Sequence, residues 1–532
     1  MKKVYIITIT TLLLLCNASC NDILDEDLTG GLTADGVFVD EQGMNFALNG
    51  AYATLSTFIG NNVNMEAGWT LIAFGTDTYT NGSDGGFKYF NTYDSDLNAS
   101  SSVVTDSWNI FYKGINTTNA VIERAPKILE NKPEELQNIL GQARFLRGYF
   151  YYWLARIWGP VYYTDKETKG VETEANRMSL EELYPKIIED LKFGEENLPD
   201  TQSDFGRATT WAAKATLADL YLTIKDYNNA AQYAEDIINN GAFQLVKPYA
   251  DLWKLDNEQN SEVIWSTQFS DDLQLDNGGN GAHLFFLMEY DKLPGMLRDV
   301  ENGRPWKRFK PTNYLLNLYD ENDQRYDATF RTVWYCNNPD NAPAGMQVGD
   351  TAIYLPRKPF TQTEKDAKPY GINVYNQDEY TEKIYPSSKK WEQPNRVSTN
   401  EQSGGRDFIA YRLAEIYLIA AEANALKDNP DQTKALQYLN EVRMRAYGVD
   451  NVSLLPVVDH VDINIILEER AKELAQEGKR WFDLVRTGKL AERVKMYNTQ
   501  GAAHVKDYHM LRPIPLTQID RTSNDFPQNP GY

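Results

Sequence analysis

Residues 207–241, RATTWAAKATLADLYLTIKDYNNAAQYAEDIINNG, and 413–448, LAEIYLIAAEANALKDNPDQTKALQYLNEVRMRAYG, share one internal spacing. Ala218, Tyr221, Ala230 and Ala234 are separated by three, nine and four positions, and Ala423, Leu426, Ala435 and Leu439 repeat those separations. The three- and four-residue steps place side chains on one face of a helix. Small residues there let two antiparallel helices approach closely. The turns fit as well: Lys225–Asp226–Tyr227–Asn228 and Asp428–Asn429–Pro430–Asp431 each break one helix and can cap the next.

Helix–turn–helix units of this kind match tetratricopeptide repeats, in which each pair buries its apolar face only by stacking on a neighbour. Working outward, helical periodicity recurs at Glu41–Ser56, Thr105–Leu129, Pro133–Trp158, Ser179–Asn197 and Asp462–Glu477. Ser179 precedes Glu182 by three, the spacing of a capping box. The expected fold is therefore mostly α, in two helical blocks, 41–240 and 406–532, the second ending in an extended tail. Between them, residues 241–405 are dense in Gly, Asn, Asp and Pro, with short alternating runs such as VIWSTQF at 263–269. That segment is too long to be a linker and reads as a loop-rich insertion, where function is expected.

The chain begins with Lys2 and Lys3, an apolar run from Val4 to Leu15, and Ala18–Ser19 before Cys20. This is a bacterial export signal over residues 1–19, and its apolar run is shorter than the roughly 20 residues of a membrane-spanning helix. A small residue before Cys20 is what lipidation of that thiol requires, although position 17 is Asn where Leu is more usual. Residues 20–40, with Asp22, Asp25, Glu26 and Asp27, would form an acidic tether. Two of the three cysteines fall in the processed region, so the mature fold keeps only Cys336 and no intrachain disulfide.

The formal net charge is −22, and loss of residues 1–19 removes two lysines and no acids, giving −24. Such a chain is a poor partner for nucleic acid, which is held by clustered Lys and Arg; the basic groupings at Lys389–Lys390 and Lys307–Arg308 are short. Neutral ligands suit it better. It carries 33 Tyr, 11 Trp and 21 Phe, many of them set among Asn, Asp, Gly and Thr.

Two further segments are too particular for core packing alone: QEGKRWFDLVR at 476–486 and the closing LRPIPLTQIDRTSNDFPQNPGY. With NDILDEDLTG, ALNGAYATL, WNIFYKGINTTNAVIE, QARFLRGYFYYWLARIWGPVYY, the repeat at 207–240 and FIAYRLAEIYLIAAEA, in this order, they resemble the RagB/SusD family of outer-membrane nutrient-binding lipoproteins. The resemblance spans almost the whole mature chain and is weakest between about 270 and 400. It implies four tetratricopeptide-like helix pairs carrying a variable ligand-binding portion. It further implies a lipid-anchored protein at the outer surface that binds oligosaccharides, less often peptides, without catalysis, and passes them to a SusC-like TonB-dependent transporter. Within the shared motifs, Trp481, Phe482 and Leu484 read as core, Lys479, Arg480, Asp483 and Arg486 as a charge network or a solvated face, and PQNPGY as a tail laid over the body.

A sugar site pairs an aromatic platform with amide, carboxylate or guanidinium groups. Two stretches offer both. The first, GTDTYTNGSDGGFKYFNTYDSDLNAS at 75–100, supplies Asp77, Tyr79, Asn81 and Tyr93 as candidate contacts, with Tyr89, Asp94 and Asn98 beside them. The alternative is a self-packed loop whose aromatics fill its own underside. The second, at 276–309, offers His283, Phe285, Phe286, Tyr290 and above all Trp306, flanked by Arg304, Pro305 and Lys307. A Trp beside a proline is also a common buried anchor.

Other classes fare worse. The four histidines make no zinc spacing, GGNG at 278–281 lacks the Lys-Ser/Thr of a phosphate loop, and no carboxylate pair stands in a recognisable catalytic setting. The Asp-rich stretches around Asp84 and Asp94–Asp96 form no twelve-residue calcium loop, so neither metal nor cofactor is expected. Peptide uptake, surface adhesion and glycoside hydrolysis remain as alternatives, in that order.

Overall fold

The structure, a computed structural model, describes residues 34–60, 66–272, 278–369 and 372–532. Residues 1–33, including Cys20 and most of the acidic tether, lie outside these. Eight long helices carry the fold: α1 (Glu41–Ile59), α3 (Ser102–Ile128), α4 (Pro133–Trp158), α5 (Leu180–Asn197), α6 (Thr210–Thr223), α7 (Tyr227–Asn240), α8 (Leu413–Leu426) and α9 (Gln432–Tyr447), with a short α2 (Ala67–Ala73) after α1. They pack as four pairs, α1/α3, α4/α5, α6/α7 and α8/α9, and each pair stacks on the next. The expected boundaries hold to within a few residues, and Pro133–Trp158 is matched end for end.

The repeat spacing does what it implies. Ala218, Ala230, Ala234, Ala423, Ala435 and Leu439 are fully buried, Tyr221 nearly so, and Leu426 partly. Asp226 Oδ1 caps α7 by accepting from Asn229 N at 3.1 Å, and Asp431 Oδ1 caps α9 by accepting from Lys434 N at 3.0 Å. At α5, Ser179 Oγ accepts from Glu182 N at 3.3 Å and donates to the Glu182 carboxylate at 3.0 Å.

α7 packs directly on α8, although 172 residues separate them in sequence. The insertion therefore leaves the scaffold after α7 and returns beside its point of departure. Its return is marked by a ladder: β2 (Val263–Thr267) pairs antiparallel with β7 (Phe408–Arg412) in the register Phe408↔Thr267, with bulges. Within the insertion lie β3 (Phe309–Pro311) and a three-stranded sheet of β4 (Val333–Tyr335), β5 (Thr351–Tyr354) and β6 (Asn373–Val374). That sheet covers a small core of its own, built on Met288, Tyr290, Trp334, Cys336, Ile353 and Tyr385.

The helix expected over Asp462–Glu477 ends four residues early, at Glu473. α10 (Ile463–Glu473) stops, Gln476 and Gly478 take left-handed backbone (φ 66° and 72°), and α11 (Arg480–Arg486) starts in a new direction. A Cβ at Gly478 would lie 2.5 Å from Ile72 Cδ1, so this turn needs glycine. The break aims each residue of QEGKRWFDLVR at a different partner. Trp481, Phe482 and Leu484 enter the main core, Arg480 forks onto Asp77, and Asp483 joins Arg470 to Arg486. Lys479 reaches Glu415 at 2.8 Å, and Arg486 pairs with Glu422. The expected charge network is thus the reading that holds, and it is buried.

A second network adjoins it. The fully buried Glu473 accepts from Arg412 at 2.6 Å, from Arg325 at 2.9 Å and from Arg445. Arg412 also pairs with Glu262 and Glu477, Arg445 with Glu262, Lys390 with Glu477, Arg325 with Asp323 and Glu469, and Lys472 with Glu469. Five cations meet five carboxylates, and those from the insertion interleave with those from α9, α10 and β7. The closing PQNPGY lies over the body as expected, with Asn529 Nδ2 donating to Trp158 O at 3.0 Å and Tyr532 OH to Leu511 O at 2.8 Å.

Removing one charge from such a site leaves its partners buried and uncompensated, so Glu473→Gln is expected to cost about 3–5 kcal/mol in a denaturant titration. A pH signature follows from Glu469. Burial pushes its carboxyl up, but Arg325 and Lys472 overcome this and hold it down at about 2 against an ordinary value of 4.5. With the folded value depressed, the contribution is complete above about pH 4.5 and is lost as pH falls towards 2. The stability gap between the native chain and Glu469→Gln should shrink across that interval; a gap independent of pH would contradict the assignment.

Candidate functional site

The two stretches singled out from sequence, 75–100 and 276–309, meet in space. Strand β1 (Tyr79–Asn81) pairs antiparallel with β3, Tyr79 opposite Pro311 and Asn81 opposite Phe309. The ladder continues past the strands, with Gly82 N donating to Arg308 O at 2.8 Å and Asp84 N to Lys307 O at 3.2 Å. A Cβ at Gly82 would fall 2.0 Å from Lys307 O, so glycine is what lets the loop close on its partner.

Four of the five candidate contacts are not at the surface, and their expected role is corrected here. Asp77 is fully buried, and both its oxygens accept from Arg480, at 2.7 and 2.6 Å. Tyr79 is buried edge-on to Phe286 at 5.3 Å, its hydroxyl accepting from Gln476 Nε2 at 2.7 Å. Asn81 is buried with its backbone N–H on Gln500 Oε1 at 3.0 Å. Tyr93, in left-handed backbone (φ 57°), donates its hydroxyl to Gly75 O at 2.5 Å and lies 4.7 Å from the His509 ring. The loop's inner half is thus bound to the C-terminal segments, and its aromatics do fill its own underside. In the second stretch Phe285, Phe286 and Tyr290 are buried as well, and burial with nearby Arg396 and Arg406 pushes the His283 imidazole down to about 3, leaving it neutral.

Trp306 differs. Nine of the eleven tryptophans are buried; Trp306 and Trp211 alone are partly exposed. Its backbone N–H is fixed on Leu284 O at 3.0 Å and its ring lies tilted against Phe285, 5.7 Å between centroids. The guanidinium groups of Arg304 and Arg308 lie 5.8 and 5.2 Å from its ring. Beside Lys307 and Arg308 runs the outer half of the first loop, whose Phe87 and Lys88 were not among the residues noted from sequence. Asp84 is exposed and pairs with Lys307 at 3.1 Å; Phe87 and Tyr89 meet edge to face at 6.3 Å and remain partly exposed. Lys88 Nζ donates to Ser83 O at 2.9 Å, and Arg308 pairs with Glu66 at 2.6 Å. Lys307, also in left-handed backbone (φ 47°), reaches Glu289 at 3.2 Å. Burial pushes the Glu289 carboxyl up, yet hydrogen bonds from Lys383 and Lys307 hold it below the usual range.

The surface that results is a partly exposed indole beside cations paired with carboxylates, with Phe87 and Tyr89 further along the loop. It can stack on an apolar face and offer hydrogen bonds in pairs. One available signal was the Gly85–Gly86 tip: side chains beside a glycine tip project outward, whereas those on the loop's stem must pack.

Comparison with known proteins agrees with this architecture. The profile of the SusD family matches residues 261–532, and a second, described as starch-binding and associating with the outer membrane, matches residues 51–222. A SusD-like protein P2 of Formosa agariphila is 29% identical over the full length of both chains. The crystal structure of a SusD homolog from Bacteroides thetaiotaomicron superposes with a TM-score of 0.75 at 22% identity, covering 95% of this chain and all of that one. A laminarin binding SusD-like protein superposes with a TM-score of 0.68 at 22% identity over 93% of this chain and all of that one. With its repeat scaffold, its buried QEGKRWFDLVR network and a family profile over half its length, the chain belongs to the SusD family.

Proposed function

We propose that the chain is a cell-surface, lipid-anchored oligosaccharide-binding protein that captures glycan at the Trp306 surface and delivers it to a SusC-like TonB-dependent transporter, without cleaving it. The observation that carries this reading is the partial exposure of Trp306, seated on Phe285 and flanked by Arg304 and Arg308, in a chain that buries nearly all its other tryptophans. An indole face complements the CH face of a sugar, and guanidinium and carboxylate pairs complement vicinal hydroxyls. Family membership supports the same direction, as do the starch and laminarin named for its relatives. Anchoring would run through Cys20, and the outer membrane would then be the site of action.

Calorimetry of the soluble chain, begun at Asn21, against neutral oligosaccharides tests the binding role, with the mixture assayed afterwards for cleavage. Trp306→Ala is expected to weaken binding by about 30-fold, the ~2 kcal/mol of an aromatic hot spot. Asp77→Asn should instead lower stability and leave the Trp306 surface unchanged. Absence of sugar binding, with binding of peptides in its place, would move the cargo class; cleavage would make the chain an enzyme. In cells, Cys20→Ala should abolish incorporation of labelled palmitate and release the chain from the membrane fraction, whereas unchanged membrane retention would point to another anchor.

A further inference from the structure

The insertion carries a second surface of similar chemistry. Strands β4, β5 and β6 form a sheet whose inner face, Trp334, Ala352 and Ile353, is fully buried in the insertion's own core. Strand alternation puts Val333 and Tyr335 on the outer face, and the register sets Tyr354 opposite Val333 and Thr351 opposite Tyr335. A register shift between Trp334 and Tyr335 leaves Ala352 as an extra residue, and Tyr335 and Tyr354 stand on the same face of the two neighbouring strands. With Asp350, Lys368, Pro369 and Ile372 they line an open cleft of about 480 Å³, within the usual range for small-molecule sites.

Two details make this more than an apolar sheet face. Tyr335 is 57% exposed, the highest value for any described tyrosine. Tyr354 is braced edge-on by Phe360 at 5.7 Å, and Phe360 is capped in turn by Lys368 Nζ at 4.5 Å, so this wall is fixed before any ligand arrives. Asp350 uses Oδ2 to accept from Gln347 N at 2.8 Å, while Oδ1 has no partner among the described residues. A carboxylate oxygen and an ammonium beside two tyrosines form a set of donors and acceptors around flat apolar faces.

We infer that the outer face of this sheet is a second saccharide-binding cleft, with Tyr335 and Tyr354 as its platforms and Asp350 and Lys368 as its hydrogen-bonding groups. The inference rests on the glycan-binding reading above, but the cleft shares no lining residue with the Trp306 surface, so each site can be removed alone. Two sites on one chain would hold a long glycan by two points, raising its apparent affinity over that of a short oligosaccharide by about 10²–10⁴ when the spacing permits.

The test uses whichever of laminarin, amylopectin, xylan and mannan the native chain binds most tightly, with its short oligomers, by calorimetry. Tyr335→Ala, at an exposed position, should keep the melting temperature. It should lower the number of short oligomers bound from about two per chain to about one, and weaken polysaccharide binding by at least about tenfold. In Trp306→Ala, the Tyr335 ring resonances of tyrosine-labelled protein should still shift when oligomer is added. If Tyr335→Ala changes neither number nor polysaccharide affinity, or its resonances stay fixed, the second cleft is wrong and the Trp306 site stands. If no polysaccharide binds the native chain, the glycan reading falls and the cleft with it.

Discussion

The rest of the structure hangs on a buried charge cluster centred on Glu473. Bringing ten ionised groups out of water is costly, and the cost is offset only when every one finds partners at once. Arg325, Lys390, Asp323 and Glu262 come from the insertion, and Arg412, Arg445, Glu469, Lys472, Glu473 and Glu477 from the segments after it. Compensation is complete only when the insertion is seated correctly on the scaffold. Hydrophobic contacts alone would tolerate small shifts of one part against the other; hydrogen-bonded ion pairs between 2.6 and 2.9 Å do not. The kink at Gln476–Gly478 is part of the same device. It ends α10 where Glu473 and Glu477 can face the cluster and starts α11 where Arg480 can reach Asp77.

This cluster explains what could and could not be read from sequence. The helix pairs were legible because their determinants are local: small residues at fixed spacing, an Asp or Ser capping α5, α7 and α9, a proline or glycine at the breaks. The strand at 263–267 was legible for the same reason, through its alternation. The fate of Asp77, Tyr79 and Asn81 was not, because their partners Arg480, Gln476 and Gln500 stand some 400 positions away. A loop of Gly, Asn and Tyr has the same composition whether its aromatics face a ligand or the loop's own interior. Only the C-terminal motif decides, and it draws the stem inward and leaves the tip outside. Trp306 was legible as a candidate by its polar flanks Arg304 and Lys307, and its partial exposure depends on how Phe285 and Leu284 seat it against the core.

The charges around Trp306 are arranged unlike those of the buried cluster. Asp84, Lys307, Glu289 and Lys383 form a chain of ion pairs at 3.1–3.2 Å, partly in solvent, where such pairs contribute little to stability. Their effect is to hold long side chains in place around an aromatic face. A surface ordered in this way loses less side-chain freedom when something docks on it. Rigid support beneath and ordered polar groups beside the ring thus serve recognition rather than folding.

The departure and return of the insertion have a consequence of another kind. Because α7 lies against α8, the chain could pass from one to the other with a short turn, and everything between is an excursion whose two ends are clamped together by the β2–β7 ladder and the Glu262–Arg412 pair. For a loop closed at a fixed base, doubling its length adds only about 0.6 kcal/mol of closure entropy. The segment beyond that clamp can therefore be lengthened, shortened or rewritten with little penalty to the scaffold, provided the few residues that feed the charge cluster are kept. Such a chain can change what it meets in its surroundings while its architecture stays as it is.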